Sequence, residues 1–228
     1  MPIQLQGNSG TVMEVDGTTF RAIRVTNRPT DYGALGFYQL GMTSGILAAA
    51  LAANTDVFQF RWTDATRFAA IQYISLTFQP LTLFTAATLT DFGFDAFAAR
   101  SWSGVGSGGT AATLTGNSFK TRTSMGTTLV GDIRISSTAA LTAGTRTLDG
   151  NAFASSIGKF QRVNPAAATE ETYVNQPHLI WSPQVSNGEA PLVLASNEGF
   201  VIRNRGVWPA AGTGEIEVNV RWGEYTAY

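Results

Sequence analysis

Residues able to carry out acid–base, nucleophilic or metal chemistry are few in this 228-residue chain, and their spacing selects no site. It contains one histidine, His178, and no cysteine, so a Cys/His dyad, a thiolate site and a His-rich zinc centre are all ruled out. A Ser/His/Asp triad would have to use His178, and no Gly-x-Ser-x-Gly elbow selects a serine to accompany it. His178, between Pro177 and Leu179-Ile180-Trp181, reads instead as a strand-edge residue. The carboxylates Asp64, Asp91, Asp95, Asp132, Glu170 and Glu171 are harder to reject. Glycoside hydrolysis needs only two facing acids, whose separation a sequence does not give, although surface solvation is the plainer role for each. Gly104-Val105-Gly106-Ser107-Gly108-Gly109 follows a strand but runs on into Thr110-Ala111-Ala112-Thr113-Leu114-Thr115, with neither the helix nor the Lys-Ser/Thr pair of a phosphate loop. No catalytic residue, cofactor or metal site is expected, and the chain reads as a non-enzyme.

Residues suited to contact rather than catalysis are easier to find. Of the five tryptophans, Trp62 and Trp222 lie on apolar alternating faces and read as core. Trp102 and Trp208 lie beside turns and are the candidates for an exposed aromatic platform, against which a sugar ring or a partner could stack. Lys120 and Arg122 fall in the most basic part of the chain, on a long Gly/Thr-rich segment from Gly104 to Thr128. A loop of that length is expected to need external contacts to become ordered, which makes Lys120 and Arg122 candidate partner contacts. The alternative is a Thr-rich pair of strands inside the domain.

The elements that must position these residues are strands. Ile216, Val218, Val220 and Trp222 alternate with Glu217, Asn219 and Arg221, the period of a half-buried strand. With Leu192-Val193-Leu194 and Phe200-Val201-Ile202 this stretch predicts an antiparallel meander with one wet face. Phe58, Phe60 and Trp62 share a face, Phe68 to Phe78 reads as a long buried strand, and Thr63-Asp64-Ala65-Thr66 is the turn between them. Phe92 to Trp102 is a further strand in which Gly93 marks a bulge or close approach, and Leu129 to Ile135, Thr172 to Val174 and His178 to Trp181 are shorter ones. Earlier, Asp16-Gly17 predicts a hairpin and residues 27–33 a connector. One short helix is expected at Ser44 to Ala53, where alanine and leucine dominate. The string Thr-Ala-Ala-Thr-Leu-Thr at Thr85 to Thr90 and again at Thr110 to Thr115 reads as coincidence in an Ala/Thr-rich chain. Together the patterns predict an all-β, antiparallel β-sandwich with long loops, a single domain over 1–228 with a loop-rich lobe at about 103–185.

Composition bounds the partners. Lys+Arg 15 against Asp+Glu 16 leaves no basic footprint for nucleic acid. Only 14% of residues are charged against 44% hydrophobic, so much of the surface falls to small and hydroxyl side chains and suits burial in an assembly. The segment Ile46 to Ala53 is too short to span a bilayer and the N-terminus lacks a secretory signal, so no membrane partner is expected and the chain is expected to fold in a cytoplasm.

Several strings resemble a group of tailed-bacteriophage virion proteins: Gly7-Asn8-Ser9-Gly10 with Glu14 to Ala22, Phe58 to Arg67, Gly108 to Gly131, and Pro191 to Leu194 with Asn197 to Ile202. The resemblance implies a capsid cement or decoration protein, or a head spike, of jelly-roll type and commonly trimeric. Its partner would be the major capsid protein, and its place the virion, assembled in the host cytoplasm. No family catalytic residue exists to carry over. A carbohydrate-binding adhesin or receptor-binding component on the phage head or tail is the alternative, with a glycan as partner.

Overall fold

Apolar-rich segments, alternating along Thr213–Tyr225 and buried on both faces along much of Asp56–Trp62 and Glu198–Asn204, have produced strands. The computed structural model describes residues 35–82, 84, 90–162, 171–175, 178–184 and 189–226. All of these belong to one unit of the chain, Gly33–Tyr228. The expected hairpin at Asp16-Gly17, the connector 27–33 and the string at residues 85–89 lie outside the described residues.

Two antiparallel sheets pack as a sandwich. The first is ordered β1 (Gly36–Thr43), β15 (Thr213–Tyr225), β3 (Phe68–Thr82) and β12 (His178–Trp181), with β13 (Leu192–Leu194) also on β3. The second is ordered β6 (Thr110–Ala111), β7 (Val130–Ile135), β2 (Asp56–Trp62), β14 (Glu198–Asn204), β5 (Phe94–Gly104) and β8 (Thr145–Leu148), with β9 (Ala154–Ser155) also on β5. A small third sheet joins β4 (Thr90–Asp91), β10 (Lys159–Arg162) and β11 (Glu171–Asn175).

The core lies between the two large sheets. Tyr38, Ile74, Leu76, Val218, Val220 and Trp222 from the first meet Phe58, Phe60, Trp62, Ile133, Phe200 and Ile202 from the second. Trp222 and Phe60 meet edge-on across the layers at 5.3 Å, and each is backed by a ring of its own sheet: Tyr38 stacks on Trp222 at 5.5 Å and Phe200 on Phe60 at 5.3 Å. A second aromatic knot of Phe78, Phe84, Phe92 and Trp208 closes one end of the sandwich.

Three expectations are corrected. The last third is not a meander, because β13 and β15 both pair with β3 whereas β14 lies in the other sheet between β2 and β5. Alternation names the buried face of a strand and says nothing about which strand lies beside it. The segment Ser44 to Ala53 is no helix: Leu47 pairs with Gly214, Ala48 donates to Thr138 and Ala50 to Pro209, and Ala50 and Asn54 have positive φ of 58°. Seating Leu47 and Leu51 in the core, with backbone bonds to separate segments, outweighs a few tenths of a kcal/mol per residue of helix propensity.

The third correction concerns the long loop from Gly104 to Thr128, which contains no pair of core strands and is held by its own domain. Gln39 N donates to Phe119 O at 2.9 Å, Tyr38 Oη to Gly126 O at 3.0 Å, and the Phe119 ring packs on Trp222. External contacts are not what orders it. Gly106 serves close packing: a Cβ there would lie 2.2 Å from Gln59 Oε1 and 2.5 Å from Thr142 O.

Candidate functional site

Trp102 and Trp208 are not exposed platforms, since they are 0% and 1% accessible. A bulge in β5 between Arg100 and Gly104, with Ser101 at φ 50°, turns Trp102 onto the outer face of the second sheet beside Ala99 and Val201. There its ring is covered by the Arg146 guanidinium at 4.8 Å, and its Nε1 donates to Gly104 O at 3.0 Å. Trp208 belongs to the aromatic knot, 5.4 Å from Phe78 and 5.7 Å from Phe84. A turn beside a tryptophan marks where the chain bends; Trp208 is bent into the core, and Trp102 is buried on the outer face of its sheet under Arg146.

The carboxylates are drawn into ion pairs and turns. Asp64 accepts from Thr66 N and Arg67 N, both at 2.9 Å, and these turn contacts lower its pKa. Burial pushes the Asp95 carboxyl up, but hydrogen bonds from Arg205 and Ser155 outweigh it and hold the group below the usual range. Arg205 also reaches Asp91 at 3.8 Å, Asp132 pairs with Arg134 at 2.8 Å, and Arg100 bridges Asp149 and Glu198. Glu170 lies outside the described residues, and Glu171 starts β11. His178 opens β12 opposite Thr77 and is exposed, as a strand-edge residue should be. Among the described residues no group of three or more His, Cys, Asp or Glu could hold a metal ion.

Two buried polar sites escaped the sequence reading. Asp56 bonds the Arg146 guanidinium and Gln59 Nε2 (2.6 Å), with Arg203 at 3.5 Å, beneath the loop after β5. Glu224, 1% accessible, accepts from Thr128 Oγ1 at 2.6 Å, Leu129 N at 3.1 Å and Trp222 Nε1 at 3.2 Å. Asp56 ties β2 to β8 and β14, and Glu224 fastens the end of the loop before β7 to β15.

Two surfaces remain available to a partner. Among the described residues, four of the six exposed large hydrophobic ones lie on segments converging on one end of the sandwich: Ile46 57%, Leu81 43%, Ile157 61% and Val207 59%. Leu47 pairs with Gly214 and Trp208 N donates to Leu51 O, so residues 46–51 run beside 207–214. Pro80 pairs with Gly214, which brings the end of β3 alongside. Gly206 closes on Asp91 and Phe92 N donates to Gly158 O, which brings Ile157 to the same end. The aromatic knot lies beneath these segments.

The other surface is the outer face of the first sheet, where Gln39, Gly41, Tyr73, Asn219 and Arg221 line an open groove of about 490 Å3. The alternation of β15 named Asn219 and Arg221 as outward-facing, but their neighbours on β1 and β3 follow only from the pairing. Lys120 and Arg122 lie beside the edge of β1: Lys120 bridges Tyr38 through its backbone and donates through Nζ to Asn117, and Arg122 is exposed. Comparison of the chain with protein-family models, curated proteins and solved structures found no match.

Proposed function

We propose that the chain is a non-catalytic virion structural protein that binds and stabilises a tailed-bacteriophage capsid. The observation that carries the reading is the apolar end of the sandwich, where Ile46, Leu81, Ile157 and Val207 stand in solvent. Apolar residues gathered at one place on a surface suit burial against a protein, and their ordered base of Phe78, Phe84, Phe92 and Trp208 presents them without an ordering cost on binding. Sequence resemblance supplies the phage setting.

Strand order supports the finer reading of the sandwich as a jelly roll. With β6, β7, β9 and β12 set aside as additions to the two sheets, the chain runs β1, β2, β3, β5, β8, β13, β14, β15, so that β1-β15-β3-β13 faces β2-β14-β5-β8, the order of two interleaved Greek keys. The mechanism is passive: a protein that binds only the assembled lattice shifts the equilibrium against disassembly. Lys120 and Arg122 would meet acidic patches of the capsid and steer docking, while apolar contact supplies most of the affinity. A charge-poor surface suits self-association, for which a trimer is the form the resemblance implies.

Purified protein mixed with tailed-phage heads stripped of their own decoration should co-sediment saturably and raise the temperature at which the heads release DNA. Heads that neither retain the protein nor gain stability would overturn the reading.

A further inference from the structure

The groove on the outer face of the first sheet collects side chains whose hydrogen-bonding capacity is unspent. Gln39 lies opposite Arg221, and Arg221 in turn opposite Tyr73, while Gly41 lies opposite Asn219. Gly41 has no side chain, so the floor drops to the backbone between Gln39 and Asn219 and opens the hollow of about 490 Å3. Among the described residues the Gln39 amide and the Tyr73 hydroxyl make no hydrogen bond. Asn219 Nδ2 donates to Glu217 at 3.0 Å, which leaves Oδ1 facing the hollow beside Gly41. Arg221 lies over the Tyr73 ring at 5.2 Å without a carboxylate partner among the described residues. By contrast Arg100, Arg134, Arg146, Arg203 and Arg205 all pair with acids.

We propose that this groove binds a saccharide carrying a carboxylate, with the acid on Arg221 and the hydroxyl groups on Gln39, Tyr73 and Asn219. Charge is graded along β15, and the gradient orients the ligand. Arg221 stands at one end and Glu217 four residues away, roughly 13 Å along an extended strand, so an anion is drawn to the first and repelled by the second. Between them lie neutral amides, each both donor and acceptor, which match vicinal hydroxyls better than they match a chain of apolar side chains. The Arg221 guanidinium, over an aromatic ring, spends none of its N–H groups on an acid among the described residues and can use them for a bidentate grip on a carboxylate. The site lies on a sheet face away from the apolar end, so it does not share the residues that carry the apolar contact proposed above.

Calorimetric titration of the full chain with trigalacturonate, its methyl ester, sialyllactose, maltotriose and triglutamate tests this. An acidic saccharide should bind, and neutralising its carboxylate should weaken binding about tenfold, the worth of one charge-assisted contact. Arg221→Gln should erase the difference between acid and ester. Gly41→Gln, which fills the hollow and whose Cβ would meet only the Asn219 side-chain oxygen, should abolish binding with an unchanged melting curve. If Gly41→Gln unfolds, the response of Arg221→Gln alone decides. Failure of both acidic saccharides to bind, equal binding of acid and ester, or discrimination that survives Arg221→Gln overturns the proposal. Triglutamate bound as tightly as trigalacturonate would overturn it too, by making the groove a site for acidic peptide.

Discussion

Trp222 sits where the two sheets meet, stacked on Tyr38 and edge-on to Phe60. Trp222→Ala removes a fully buried ring that its rigid neighbours cannot replace, and should cost roughly 3 to 5 kcal/mol of stability, read from a denaturation curve. Two residues along the same strand, Glu224 illustrates a different kind of burial. Desolvation raises its pKa above the ordinary 4.5, partly offset by the bonds from Thr128, Leu129 and Trp222, while the charge of Asp64 adds to the rise. The neutral form is therefore the one the fold prefers. The stability this group contributes is fully present below pH 4.5 and is lost as pH rises through its folded-state value. Glu224→Gln keeps an oxygen in the position that receives all three donors and cannot ionise. Its melting temperature relative to the parent should rise as pH is taken from 4.5 towards neutrality; a constant difference would show that the carboxyl does not titrate in that window. Burial, with the charge of the same carboxylate adding to it, pushes the Tyr38 phenol up to about 12, so this tyrosine stays neutral through that range.

At the scale of elements, the loop from Gly104 to Thr128 is where physical reasoning from sequence was least informed. Its glycine and threonine content reads as freedom, yet Phe119 on Trp222 and Glu224 on Thr128 are both contacts to residues more than ninety positions away. Nothing local announces them. Limited trypsin treatment of the free protein should therefore spare the bonds after Lys120 and Arg122. Phe119→Ala, which takes the ring off Trp222, should expose both to cleavage while the core strands remain protected. Ready cleavage of the parent protein would mean that the loop is not held by its own domain. The absent helix at Ser44 to Ala53 teaches the same lesson, because Leu47 and Leu51 belong to a core that only the fold assembles.

For the whole molecule, the proposed docking end and the proposed saccharide groove make separable demands. Ile157→Lys with Val207→Lys places two charges among the exposed apolar residues of one end without touching a buried side chain. The double variant should fold with the parent's melting temperature, bind acidic saccharide as the parent does, and lose most of its co-sedimentation with phage heads. Undiminished co-sedimentation would move the docking surface to another part of the sandwich.

What the sequence determined by itself was the class of the fold and the inward faces. Alternation at Phe58, Phe60 and Trp62, and at Ile216, Val218, Val220 and Trp222, placed every one of these residues in the core, because the two-residue period of a strand is a local property written into a few consecutive positions. The neighbours of each strand were decided only in three dimensions. Pairing depends on register and on which sheet the chain enters next, and those follow from packing summed over the domain. Trp102 and Trp208 became buried for that reason, one turned by a bulge onto the outer face of a sheet, beneath Arg146, and the other into an aromatic knot. The groove exists for the same reason: Gln39, Tyr73 and Arg221 are far apart in the chain and become one surface only when β1, β15 and β3 lie side by side.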